Sequence, residues 1–115
     1  MLFLFVEDDE NVAKAFAELA ASLGHRAEVA HSGGDALRMT AHTRYDTVFM
    51  DIGLPDIDGR QLCGYMRAAG ASHEACIVAV TGCRDFHDDA KNGGFDGYLP
   101  KPVTASELTA VIERC

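Results

Sequence analysis

The residues of this 115-residue sequence best suited to chemistry are carboxylates, and they come in two places. Glu7, Asp8, Asp9 and Glu10 form one run directly after an apolar stretch, and Asp51 directly follows another. Thr81 follows a third apolar stretch, and Lys101, with Pro102 behind it, follows a fourth. Carboxylates gathered in one place repel each other unless something neutralises them. A hard divalent cation does so through oxygen ligands. Mg²⁺ in particular takes one or two carboxylates, keeps several waters and often holds a substrate phosphate as well. A lone acid after a strand reads first as a turn former or loop cap. Acids, a hydroxyl and a lysine at the ends of four separate apolar runs are harder to explain that way.

These residues need a scaffold that brings the run ends together, and the hydrophobic pattern supplies one. Residues 2–6 are continuously apolar, as in a strand buried on both faces. Over 11–23, Val12, Phe16, Leu19, Ala20 and Leu23 recur at helical spacing, with Lys14, Glu18 and Ser22 facing away and Gly24 ending the helix. A weaker strand covers 26–31. Ser32 N-caps a helix over about 34–42, whose start Gly33 and Gly34 weaken. Strands are expected at 47–50, 76–80 and 98–99, and a helix from Asp58-Gly59 onward with Leu62, Met66 and Tyr65 on its inner side. A poorly patterned helix is expected over 85–92, stopped by Gly93-Gly94. A final helix capped by Thr104 or Ser106 uses Leu108, Val111 and Ile112. Five evenly spaced βα units imply a parallel sheet with helices on both faces. In such sheets function gathers beyond the carboxyl ends of the strands. If the first and third strands are neighbours, Glu7, Asp8 and Asp51 converge.

Composition narrows the classes. The length suits one domain spanning residues 1–115, and 48% apolar with 24% charged residues is an ordinary globular mixture. Acids outnumber bases 18 to 10, a net charge of -8 that argues against direct nucleic-acid binding. Residues 1–6 are too short for a spanning helix or a signal peptide, and a soluble cytoplasmic protein without membrane contact is expected. Cys63, Cys76, Cys83 and Cys115 form no C-x-x-C pair and read as four reduced thiols. The five scattered histidines read as surface or edge residues rather than a metal site.

With these residues in view, the whole chain resembles the receiver domain of two-component response regulators. Phe3-Leu4-Phe5-Val6-Glu7-Asp8 is similar to the family's first strand and acidic pair, and Met50-Asp51-Ile52-Gly53-Leu54-Pro55 with Asp58-Gly59 to its phosphoacceptor segment. Val80-Thr81-Gly82 is similar to its switch segment, and residues 94–103 to its final strand and lysine. The spacings of 43 residues from Asp8 to Asp51, 30 on to Thr81 and 20 on to Lys101 make the combination specific. The resemblance implies a flavodoxin-like (βα)5 three-layer sandwich with strand order 2-1-3-4-5. It implies that Asp51 takes a phosphoryl group from a phosphohistidine of a sensor histidine kinase or histidine phosphotransfer protein. Such a domain is regulatory, catalysing only its own phosphorylation and dephosphorylation. Mg²⁺ would be held by Asp8, Asp51 and the Gly53 carbonyl, with Glu7 holding a metal-bound water. Lys101 would place its ammonium on a phosphoryl oxygen, the Lys101–Pro102 peptide would be cis, Thr81 would bind a phosphoryl oxygen after transfer, and Tyr98 would move inward as reporter. Asp9 and Glu10 fall outside the family's pair and read as helix-N-terminal acids.

Other readings use fewer of these residues. A phosphorylation-independent interaction module on the same fold would have no need of the site residues, and all are kept. An aspartyl-phosphate hydrolase usually has a second acid two residues after the nucleophile, where this sequence has Gly53. A flavin binder would lead its first strand into a phosphate loop, which four carboxylates would repel. The 51–55 segment resembles receivers attached to hybrid histidine kinases; a stand-alone regulator and a part of a larger protein both stay open.

Overall fold

Five short apolar segments assemble into one parallel sheet, in a computed structural model that describes residues 1–82 and 94–115. The strands are β1 (Leu2–Val6), β2 (Arg26–Ala30), β3 (Thr47–Asp51), β4 (Cys76–Thr81) and β5 (Gly97–Pro100), in the order β2-β1-β3-β4-β5. Between and after them run α1 (Glu10–Ser22), α2 (Gly33–His42), α3 (Gly59–Ala68) and α4 (Ala105–Arg114). The helix expected over 85–92 and Cys83 lie outside the described residues. No helix among the described residues is long and apolar enough to cross a membrane.

Because side chains alternate across a strand, each central strand feeds two cores. Phe3 and Phe5 of β1, Phe49 of β3 and Val78 and Val80 of β4 face α1 and α4, where Phe16, Ala20, Leu108 and Val111 complete the packing. Phe5 is stacked between Phe16 and Phe49, with ring centroids 5.1 and 4.9 Å away. Leu4, Val6, Val48, Met50 and Ile77 face the other way, against Ala36 of α2 and Leu62, Cys63 and Met66 of α3. That is the three-layer arrangement expected from the pattern.

The helices begin where short polar side chains take up their free N–H groups. Asp9 accepts from the N–H groups of Asn11 and Val12, so its role is that of an N-cap; Ser32, Asp58 and Thr104 cap α2, α3 and α4. Thr104, rather than Ser106, is thus the last cap. Gly24, at φ 88°, turns the chain after α1. Arg67 of α3 reaches across to the carbonyls of His73, Ala75 and Gly94 and pairs with Asp96, tying the entries to β4 and β5 onto α3.

Three sequence expectations change. Tyr65 does not join Leu62 and Met66 on the inner side of α3; it is exposed, and Cys63 takes that face instead. Cys76 and Cys115 do not stand as separate thiols: they are joined by a disulfide across 39 residues of chain, with Cα atoms 5.7 Å apart. The fold places the first residue of β4 beside the residue after α4, which no local spacing reveals. Cys63 is a free, buried thiol, as expected. The Gly33-Gly34 pair, read as a weakness in α2, admits a neighbouring loop. Both glycine N–H groups donate to the Asp56 carboxylate at 3.0 Å, and Ile57 packs so closely that a Cβ on Gly33 would lie 2.0 Å from its Cγ2. Gly33→Ala should therefore destabilise the fold by about 1–3 kcal/mol, the usual cost of overpacking. Urea unfolding would read this, and an unchanged midpoint would show that the loop yields freely.

Candidate functional site

The carboxyl ends of β1, β3, β4 and β5 form one edge, and the polar residues named from the sequence gather there. Register fixes this. Val6 pairs with Met50, Met50 with Ala79 and Thr81 with Pro100, so the strands end within a residue or two of one level. Glu7 and Asp51 consequently leave the neighbouring strands β1 and β3, and Lys101 reaches the same space from β5 at the sheet's edge.

Glu7 is enclosed, at 2% exposure. Its backbone N–H still donates to the Ala30 carbonyl, which holds it in line with β1. Its Oε1 accepts from Lys101 Nζ at 2.9 Å, whereas its Oε2 is buried without a hydrogen-bond partner among the described residues. Lys101 Nζ also lies 3.2 Å from Asp51 Oδ2, so one ammonium bridges two carboxylates. Asp51 Oδ1 accepts from the Gly53 N–H at 3.0 Å, which fixes the carboxylate's second oxygen. Asp8 is exposed, yet Glu7, Asp8 and Asp51 each offer a carboxylate oxygen, and these lie within 4.8 Å of one another. An all-oxygen donor set with an unpaired buried acceptor fits a hard divalent cation.

The ionisation of the cluster follows from its geometry. Burial, and then the adjoining Asp51 carboxylate, push Glu7 up to about 7 against an ordinary 4.5, with Lys101 opposing. Burial also acts to raise Asp51, but its contacts with Glu7, the Gly53 N–H and Lys101 outweigh that and hold it below the usual carboxylate range. For Lys101, burial favours loss of the proton, and Glu7 and Asp51 override it, so the ammonium is held more firmly than usual. The cluster therefore pushes the two carboxyls in opposite directions, Glu7 toward its protonated form and Asp51 toward its anion.

Thr81 is buried at the last position of β4, and its carbonyl accepts from the Lys101 N–H at 3.0 Å. The Lys101–Pro102 peptide is cis. Tyr98 is half-buried in β5 and packs against the core that faces α2 and α3. Gly53 itself presents no side chain to Asp51; a Cβ there would sit 3.8 Å from Asp51 Oδ1. Sequence reasoning missed Asp56, whose carboxylate fastens the loop carrying Gly53 to the N-terminus of α2. Those two backbone hydrogen bonds lower its pKa, and the only available signal was a glycine pair opening a helix.

Known proteins share both pattern and geometry. Residues 3–113 match the model of the response regulator receiver domain. The response regulator MprA of Mycobacterium avium is 31% identical over 110 residues, which cover 96% of this chain and 48% of that protein. The chain thus spans about half the length of the curated relatives it matches. A CheY-like response regulator receiver domain from Methylobacillus flagellatus superposes with a TM-score of 0.89 at 35% identity, covering 98% of this chain and 96% of that one. The receiver domain of sensor histidine kinase PA1611 from Pseudomonas aeruginosa gives 0.88 at 29% identity, covering 98% and 94%; its structure carries a magnesium ion in the active-site cleft.

The raised Glu7 pKa sets a pH dependence for the metal-free protein. Stability from the protonated group is fully present below about 4.5 and is lost as pH rises through about 7. Asp51, with its lowered pKa, contributes stability that is lost only when pH falls below its usual range, outside that window. Glu7→Gln should flatten the fall in melting temperature between pH 4.5 and 7. Identical slopes for wild type and variant would contradict the assignment.

Proposed function

The chain belongs to the response regulator receiver domain family, and on that premise we propose that it is a phosphoacceptor switch of a two-component phosphorelay. Residues 1–115 act as one receiver domain, regulatory in role and working in the cytoplasm. A sensor histidine kinase or histidine phosphotransfer protein presents a phosphohistidine. An Asp51 carboxylate oxygen attacks the phosphorus, the phosphorus–nitrogen bond breaks, and the imidazole departs, leaving an acyl phosphate on Asp51. The single observation that carries this reading is the Lys101 ammonium poised 3.2 Å from Asp51 Oδ2 inside an acidic, otherwise apolar strand edge.

Mg²⁺ fits the oxygen cluster, with Asp8, Asp51 and the Gly53 carbonyl as ligands and Glu7 holding a bound water. Its chemical contribution when bound would be to offset negative charge on the phosphoryl oxygens. The chain's own residues do the rest. Lys101 stays protonated and neutralises a phosphoryl oxygen as a point charge. The Gly53 N–H keeps Asp51 oriented. The Thr81 hydroxyl binds a second phosphoryl oxygen after transfer, and the space it vacates takes the Tyr98 ring, changing the surface shown to partners.

A groove beside the site supports a docking face for the donor. A groove of about 500 Å³ runs between α1 and the segment after β5, lined by Asn11, Val12, Ala15, Phe16, Pro102 and Val103. It is largely apolar and ends at Lys101, which suits a helical donor bringing its phosphohistidine to Asp51.

Incubation with Mg²⁺ and a small phosphodonor should add one phosphoryl mass to the wild type and none to Asp51→Asn. No gain in wild type with the metal demonstrably bound would favour a phosphorylation-independent interaction module instead. Millimolar Mg²⁺ should also raise the melting temperature, because the ion relieves repulsion that exists only when the strands are assembled. Gly53→Asn should change the dephosphorylation rate, since its side chain would flank the path by which water reaches the phosphorus; equal phosphoryl lifetimes would remove that idea.

A further inference from the structure

The opposite end of the sheet holds a second piece of chemistry. Cys76 opens β4 and is half-buried, whereas Cys115 follows α4 and is exposed. They are bonded, with Cα atoms 5.7 Å apart, inside the usual span for a disulfide. The bond lies in an open cleft of about 410 Å³ whose walls include Asp46, Glu74, Asp96 and Arg114. A small thiol can therefore reach the sulfur of Cys115. Cys63 offers a contrast: it is buried, and burial pushes its thiol pKa up, which keeps it unreactive.

We infer that Cys76 and Cys115 form a reversible thiol–disulfide site, exchanged by a small-molecule disulfide of the glutathione type, that locks the end of α4 to the edge of β4. Closing proceeds in two exchanges. The exposed Cys115 thiolate attacks the glutathione disulfide, forming a mixed disulfide and releasing one glutathione thiolate. The Cys76 thiolate then attacks the Cys115 sulfur and releases the second. One protein disulfide forms, one glutathione disulfide is consumed, two electrons pass from protein to glutathione, and the two protons leave with the glutathione thiols. Opening is the reverse.

The consequence falls on α4. This helix is held to the sheet by Leu108 and Val111, and its first turn begins at Ala105, close behind Lys101. Between Cys76 and Cys115 lie β4, β5 and α4, so the bond closes a loop that holds two of the five strands and the last helix. In the reduced protein only noncovalent packing holds the end of the helix.

The full chain, equilibrated in oxidised or reduced glutathione, alkylated under denaturing conditions and mapped by mass spectrometry, tests this. In oxidised buffer the Cys76 and Cys115 peptides should escape alkylation together and appear cross-linked, while Cys63 is alkylated in both buffers. The oxidised protein should melt roughly 10 °C above the reduced protein. Cys115→Ser and Cys76→Ser should each abolish both the cross-link and the difference between buffers. Cys115 appearing only as a glutathione adduct, a cross-link to another cysteine, or a melting difference that survives in both variants would overturn the proposal.

Discussion

The Lys101 ammonium shared between Glu7 and Asp51 is the interaction on which the functional edge depends. Two carboxylates beside each other at the rim of an apolar sheet would repel, and burial raises the cost of charging either one. A single cation contacting both reverses that balance. It can do so only if β1, β3 and β5 end at a common level, because Lys101 crosses from the far edge of the sheet. A slip of one residue in any strand would turn its side chains to the other face and carry the polar residue away from the cluster. The apolar packing of Phe5 between Phe16 and Phe49 therefore matters to the chemistry as much as to stability, since it helps hold β1 and β3 in register.

The two ends of the sheet divide the labour. At the carboxyl ends, backbone and side chain hold polar groups that can change protonation or partner. Asp56 steadies the loop after β3 by gripping the start of α2, so Gly53 meets Asp51 from a fixed position. At the amino ends, contacts serve to hold entry segments in place. Arg67 gathers three carbonyls and Asp96, and Cys76 is bonded to Cys115. The two sets lie at opposite ends of the strands.

How far the sequence discloses this depends on whether a feature is local. Strands buried on both faces announce themselves as unbroken apolar runs, and β1 and β3 fall where residues 2–6 and 47–50 place them, β3 extending one residue to take in Asp51. The helix caps Ser32 and Asp58 are equally local, as is Gly24 behind α1. The convergence of Glu7, Asp8 and Asp51 needed one further assumption, that β1 and β3 are neighbours, and the parallel topology supplies it. Features that depend on tertiary placement stayed hidden. Asp56 looks like any acid in a loop until α2 arrives beside it. Cys76 and Cys115 read as two reduced thiols because nothing within 39 residues of separation signals that α4 returns to the start of β4. The raised pKa of Glu7 was hidden for a similar reason: a run of four acids reads as exposed, yet β1 carries the first of them into the interior.

That interior placement links the metal-free and metal-bound conditions of the site. Glu7, Asp8 and Asp51 carry more negative charge than Lys101 alone can offset. Without a cation, burial and the adjoining Asp51 carboxylate favour a proton on Glu7, the most buried of the three, while Glu7, the Gly53 N–H and Lys101 favour the anion of Asp51. A divalent cation would neutralise the same surplus by another route, making the Glu7 proton unnecessary and giving the unpaired Oε2 an electrostatic partner. Proton and cation are then alternative solutions to one imbalance. Asp51 is the carboxylate both solutions leave charged, because Lys101 and the Gly53 N–H favour its anion in either case. Glu7 suits this division: its Oε1 reaches Lys101 from a buried start, which leaves the exposed side of the cluster to Asp8.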